Sequence, residues 1–308
     1  MSVTTPPRPT PGHHLAELAA EAPPARRPAT GLVRSRSRTV VRHAFMVVAA
    51  LLMIYPLVWM LGASFKPSSE IFRNLSVLPS EWHPENYPDG WNAFTTSFGR
   101  YMLNSLTIVA GALVGNLVSC SMAAYAFARL QFKGRQLWFA VMLVTIMLPV
   151  HVLIVPQYIM FNQLDWINTF WPLIVPKLLA TDAFFIFLMV QFFRGIPTEL
   201  EEAARLDGCG HGRIFLQVML PLATPALATT AIFTFIWTWN DFFSQLVFLT
   251  RDDVKTAPLA LRLFLDSSSG SSWGPMFAMS VVTIIPIFLV FLGGQKYLVK
   301  GIATTGIK

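Results

Sequence analysis

Six stretches of this chain run for about 20 residues or more with few or no formal charges, the length a helix needs to cross the hydrocarbon of a bilayer. His43 to Phe65, Tyr101 to Ala128 and Gln136 to Met160 carry none. Lipid offers no water to satisfy a backbone N–H or C=O, so each such stretch must close its hydrogen bonds internally, as a helix. A fourth stretch, Trp171 to Phe193, contains Lys177 and Asp182; a fifth, Ala226 to Leu249, contains Asp241; a sixth, Phe277 to Tyr297, is apolar until Gln295 and Lys296. Pro56, Pro149, Pro156, Pro176 and Pro286 fall within or beside these spans, where neighbouring helices can satisfy the carbonyls that proline frees.

Composition agrees with this reading. Hydrophobic residues make up 54% of the 308 and charged residues 13%, about half the charge of an ordinary soluble domain. That excludes a soluble globular protein and, over most of the length, a disordered one. Cys120 and Cys209 lie far apart, with no second Cys or His at zinc-like spacing, so neither a disulfide scaffold nor a metal knot is expected. The net charge of +7 is not a nucleic-acid signature, because the basic residues sit in the N-terminal tail and short loops. With the N-terminus inside, the inner segments hold 16 of the 23 lysines and arginines, so both ends are expected to be cytoplasmic. Residues 1–42, proline-rich through Pro28, read as a disordered basic tail, 43–298 as the transmembrane domain, and 299–308 as a flexible C-terminal tail. A cleaved signal peptide would have a shorter apolar core than His43 to Phe65.

The inner loop from Arg194 to Thr224 is much longer than the one from Arg129 to Arg135, and it is organised. Thr198 and Glu201 form a capping-box pattern, and Glu199, Glu201 and Glu202 suit the positive end of a helix. Leu200, Ala203 and Ala204 share a face, and Gly208 supplies a left-handed stop after Asp207. A second helical stretch, Gly212 to Leu220, is expected to end at Pro221. The product is a knob with an apolar alanine face and an acidic rim, suited to a groove on another protein.

Glu202-Ala203-Ala204, Gly208 and then Val218-Met219-Leu220-Pro221 resemble, in residue and spacing, the EAA loop of ABC importer permeases. Tyr125-Ala126-Phe127-Ala128-Arg129, Pro156-Gln157-Tyr158, Ile167-Asn168-Thr169, Trp239-Asn240-Asp241 and the tail from Tyr297 extend the resemblance to the carbohydrate branch, specifically the six-span, maltose-type second permease. It covers roughly Ala44 to Lys308; Val218 stands where Ile is commoner, and Asp241 where Glu is frequent. The resemblance implies an all-α membrane protein of the type I importer permease fold, in a bacterial inner membrane. It also implies a second permease, two copies of an ABC ATPase that binds ATP and Mg, an extracytoplasmic sugar-binding protein and a sugar cargo. In such a subunit the loop is a coupling helix docked in a cleft of the ATPase. The residues then expected to carry coupling are Glu201, Glu202, Ala203, Ala204, Asp207, Gly208, Leu220 and Pro221, the Glu meeting a basic residue of the ATPase. By the same resemblance the C-terminal tail reaches between the ATPase subunits.

No Gly-x-x-x-x-Gly-Lys-Ser/Thr run is present, so the chain lacks a nucleotide cradle of its own. A gradient-driven transporter or channel is the competing reading; it would need ionisable groups within the spans, and Asp182 is the costly one. Five residues separate it from Lys177, poor spacing for a helical pair. A membrane-embedded enzyme would need a cluster of His, Asp or Glu inside the spans, and the sequence has none. Asp182, Trp237, Trp239 and Asn240 are the candidates for a sugar path, since sugars stack on aromatic rings and bond to amides. Gly111 and Gly115 form a small-x-x-x-small face open to a partner helix in this chain or in another. His13 and His14 have no further ligands nearby in sequence and suggest no metal site.

Overall fold

The computed structural model describes residues 36–265 and 272–305. The disordered tail expected at the N-terminus lies, over residues 1–35, outside the described residues, as do the last three residues. Among the described residues the regular elements are helices. They are α1 (Arg36–Ala63), α2 (Asn86–Trp91), α3 (Phe98–Arg129), α4 (Arg135–Ile146), α5 (Val150–Gln163), α6 (Trp171–Leu178) and α7 (Ala183–Gly195). There follow α8 (Glu199–Leu206), α9 (His211–Ile214), a π-helical turn (Phe215–Met219), α10 (Leu220–Leu222), α11 (Thr224–Asn240), α12 (Phe243–Phe248), a 3-10 turn (Asp252–Val254), α13 (Ala257–Leu263) and α14 (Trp273–Thr305). The chain divides into two compact units, residues 1–54 and 55–308. The described part of the first is the opening of α1, where Phe45, Leu52 and Met53 are exposed, as a lipid-facing helix requires.

Four helical stretches are long and apolar enough to cross a membrane, or six if two bent pairs each count as one crossing. Five of the expected spans appear among these, and the second bent pair, His211–Leu222 with Thr224–Asn240, stands earlier in the chain than the expected fifth, Ala226 to Leu249. Three of the expected spans are not continuous helices. The third bends by 103° between α4 and α5, at Pro149, which has no N–H to give and drives the residue before it toward extended backbone. The fourth breaks between α6 and α7, where Ala180 takes a left-handed φ of 55°. The fifth ends early, at Asn240, and Asp241 is extended. Asp241 Oδ1 then accepts from the Ser244 amide at 3.1 Å and so starts α12. Both expected tails are also shorter than read: α1 begins at Arg36 and α14 continues to Thr305, because no proline intervenes to stop either helix.

The central strut is α3. Tyr101, Asn104, Ser105, Ile108, Val109, Ala112, Gly115, Asn116 and Cys120 are buried along it, at the three- and four-residue steps of one helical face. This face packs against α6, α7, α11 and α13. Gly111 and Gly115 permit the closest approach: a Cβ on Gly115 would lie 2.9 Å from the Lys177 carbonyl carbon, and one on Gly111 2.8 Å from Ile174 side-chain atoms. The small-residue face is thus filled from within this chain, by α6.

The Ile167-Asn168-Thr169 run also acquires a physical reason. Asn168 sits at φ 62°, a conformation asparagine tolerates better than most residues. Its Oδ1 accepts from the Thr250 amide at 2.7 Å, the Thr250 hydroxyl at 2.9 Å and the Arg251 amide at 2.8 Å. One side chain thereby clasps the α5–α6 turn to the segment after α12.

Candidate functional site: the α8 knob

The knob begins where α7 ends. Gly195 closes α7, Ile196 is extended, Pro197 follows, and α8 starts at Glu199 with Glu199, Glu201 and Glu202 in its first turn. These carboxylates favour the positive pole of the helix. The expected capping box does not form: Thr198 has helical φ and ψ and makes no side-chain cap bond. Glu201 is committed elsewhere, since its Oε1 lies 2.9 Å from Arg129 Nε in a pair whose side chains are 7% and 6% exposed.

The far end of α8 is built as read. Gly208 has φ +80°. The Cys209 amide donates to the Ala204 carbonyl at 3.0 Å and the Gly208 amide to the Arg205 carbonyl at 2.9 Å. These are the two bonds of a Schellman stop, with glycine at the left-handed position. Past it, α9, the π turn and α10 run on through Pro221, so Pro221 does not end the helix. The chain instead turns by 77° between Leu222 and Thr224 before α11.

The two faces of α8 divide the candidate residues. Ala204 packs onto a cluster formed by Tyr125, Phe193, Ile196, Ile214 and Met219 at the ends of α3 and α7 and in α9 and the π turn. Leu200, Glu202, Ala203, Asp207 and Gly208 are exposed, and Leu206 stands 90% exposed. Leu220 is half-buried and Pro221 exposed. The alanine face expected from spacing is therefore split: Ala204 anchors the knob and Ala203 is offered outward. Glu201 belongs to the anchoring side, not to the outer rim.

Arg129 is the residue that sequence reasoning did not single out. It ends α3, and its Nη2 donates to the Phe193 carbonyl at 2.6 Å and to the Ile196 carbonyl. A guanidinium there gathers two carbonyls at the end of α7, of which that of Phe193 also accepts from the Ile196 amide at 3.2 Å. A lone arginine closing an uncharged span, with an acidic helix start further along the chain, was the available signal.

The four candidates for a sugar path are not gathered. Asp182 binds Lys177 at 2.8 Å and accepts from Asn116 Nδ2 at 2.6 Å, and Asn116 also reaches Thr234 Oγ1 at 3.1 Å. The break in the fourth span brings Lys177 and Asp182 together despite their spacing, and a carboxylate held this way is an ion-paired tie between helices. Trp239 is fully buried, stacked on Phe235 at 5.5 Å, with its Nε1 donating to the Thr283 carbonyl at 3.2 Å. It is a packing residue between α11 and α14. Trp237, two residues earlier and half exposed, faces Phe184 and Phe185. Asn240 is exposed, and its Nδ2 bonds the Ile236 carbonyl of its own helix at 2.8 Å.

Residues 115–304 match the family model for the binding-protein-dependent transport system inner membrane component. The chain is 36% identical over 264 residues to the probable ABC transporter permease protein YurM of Bacillus subtilis, covering 86% of this chain and 87% of that protein. It is 34% identical to the diacetylchitobiose uptake system permease protein NgcG of Streptomyces coelicolor, covering 85% and 86%. In fold it is similar to a chain in the crystal structure of a bacterial ABC transporter involved in the import of the acidic polysaccharide alginate. That match has a TM-score of 0.74 at 24% identity, over 85% of this chain and 97% of the other. The knob that links α7 to α11 lies wholly within the matched residues, and the chain belongs to the family of ABC importer permeases, multi-pass membrane subunits distinct from the ATPase.

Proposed function

We propose that the chain is one of two permeases of a bacterial inner-membrane importer for a di- or oligosaccharide. Its partners are a second permease, two copies of an ATPase that bind ATP and Mg, and an extracytoplasmic sugar-binding protein. The cargo class is supported by the diacetylchitobiose relative and by the carbohydrate-branch motifs in the sequence. The distribution of basic residues supports cytoplasmic termini, which puts the knob on the ATPase side.

One observation carries the coupling role: α8 presents Glu202, Ala203 and Leu206 outward while Ala204 and Glu201 fix it to the bundle from beneath. An exposed apolar side chain beside a carboxylate, on a short helix with a rigid stop, suits a groove with a basic residue. Closure of the ATPase pair on ATP moves that groove, the knob follows, and the spans rock between two openings. The test is to purify the chain in mild detergent with its partners. An ATPase that copurifies, with turnover raised by a sugar-loaded binding protein, is the expected result. Sugar uptake by this polypeptide alone, driven by a proton or sodium gradient, would overturn the reading.

A further inference from the structure

A coupling helix transmits force only if its base is stiff. In this chain the base is one ion pair set among apolar side chains. Glu201 leaves α8 on the side away from the exposed Glu202, and it meets Arg129 at the last residue of α3. Arg129 also holds the Phe193 and Ile196 carbonyls at the end of α7. Arg205, one turn along α8, stands 3.8 Å from the other oxygen of Glu201 and is half exposed. Tyr125 lies beneath, its ring 6.4 Å from Phe193 and 5.2 Å from Phe215. Three elements, α3, α7 and α8, thus converge on a single guanidinium.

That convergence has a direction. Because α3 is the helix against which α6, α7, α11 and α13 pack, a displacement delivered to its end is delivered to the bundle. A displacement absorbed in the Ile196 to Thr198 linker would be lost. We propose that Arg129 and Glu201 are positioning residues for transport: their pair locks α8 to the end of α3, so that movement of the knob becomes movement of the spans. Glu201 therefore faces inward and does not contact the ATPase, whereas Glu202 does. Opposite charges 2.9 Å apart and shielded from water attract far more strongly than the same pair would in water, and so hold α8 to α3 more firmly than an apolar contact of that size.

The role rests on the ATPase partner proposed above, and the experiment separates the two. The complete importer, with both permeases, the ATPase and the binding protein, is reconstituted in vesicles, and solute delivered per ATP hydrolysed is measured. Glu201→Ala and Arg129→Gln are expected to lower that ratio by about tenfold or more, the size of an ordinary coupling between sites. Glu201→Gln, which keeps the side chain's shape and an oxygen toward Arg129 but not the charge, is expected to fall between Glu201→Ala and the unaltered chain. Ratios equal to the unaltered importer's in both Glu201→Ala and Arg129→Gln, whatever the amount of complex recovered, would make the pair merely structural and overturn the role alone. An unaltered chain with which no ATPase assembles would overturn the partner set and, with it, the role.

Discussion

Lys177 Nζ lies 2.8 Å from Asp182 Oδ2 although five residues separate them, because the helix between them is interrupted at Ala180. Asn116 of α3 bonds the same carboxylate oxygen. Both side chains are about a quarter exposed. Replacing Asp182 with Ala strands the ammonium and the Asn116 amide, and should cost about 1–3 kcal/mol. Asp182→Asn keeps an acceptor for both and should cost less. Thermal unfolding in one detergent checks this; equal losses in the two variants would show that the hydrogen bonds contribute nothing.

What the sequence shows and what it hides separate cleanly around that pair. Span count, the start of α8 and its stop at Gly208 follow from apolar run length, acidic residues and one glycine, all of them local signals. The break at Pro149 is marked by the proline itself, whereas α6 and α7 both pack on α3 on either side of Ala180, and no local pattern marks that break. The inward turn of Glu201 is hidden for the same reason. Thr198 and Glu201 have the spacing of a capping box, but Arg129, 72 positions earlier, offers a charged partner in a site closed to water. Trp239 looked like a sugar platform because tryptophan serves in both roles; its contacts with Phe235 and Thr283 make it packing.

Gly208 sets the length of the knob. At φ +80° any side chain with a β-branch is strained, though nothing lies within 4 Å of where a Cβ would stand. The penalty is therefore conformational, about 1–2 kcal/mol for Val, with Asn tolerated better. Gly208→Val should loosen the Cys209 to Ala204 bond and reduce ATPase copurification, while Gly208→Asn retains most of it. Equal retention by both variants would mean the stop is not required.

Gly115 is a question of space and not of φ. A Cβ there would meet the Lys177 carbonyl carbon at 2.9 Å and the Leu178 amide nitrogen at 3.0 Å, and backbone does not yield as a side-chain tip does. Gly115→Leu should separate α3 from α6 and destabilise by about 1–3 kcal/mol. Gly212, with nothing within 4 Å, is the matched control, and Gly212→Ala should leave the melting temperature within a degree or so of the unaltered chain.

Glu70 ties the loop after α1. Its Oε1 accepts from the Ser80 hydroxyl at 2.8 Å, the Ser80 amide at 3.2 Å and Asn74 Nδ2 at 3.0 Å. The Ser80 hydroxyl leads the groups that hold its carboxyl below the ordinary 4.5. A carboxylate with a lowered folded pKa contributes stability that is present above its unfolded pKa and lost as pH falls through the folded value. Amide exchange at Ser80, corrected for intrinsic rate, should therefore be constant above pH 4.5 and accelerate below it. Ser80→Ala should shrink the acceleration below pH 4.5, because the leading cause of the lowered pKa is gone and the folded value rises toward the unfolded one. An acceleration of unchanged size would place the stabilisation of the loop in Lys66, whose Nζ donates to the Asn74 and Ser76 carbonyls at 2.9 and 2.7 Å.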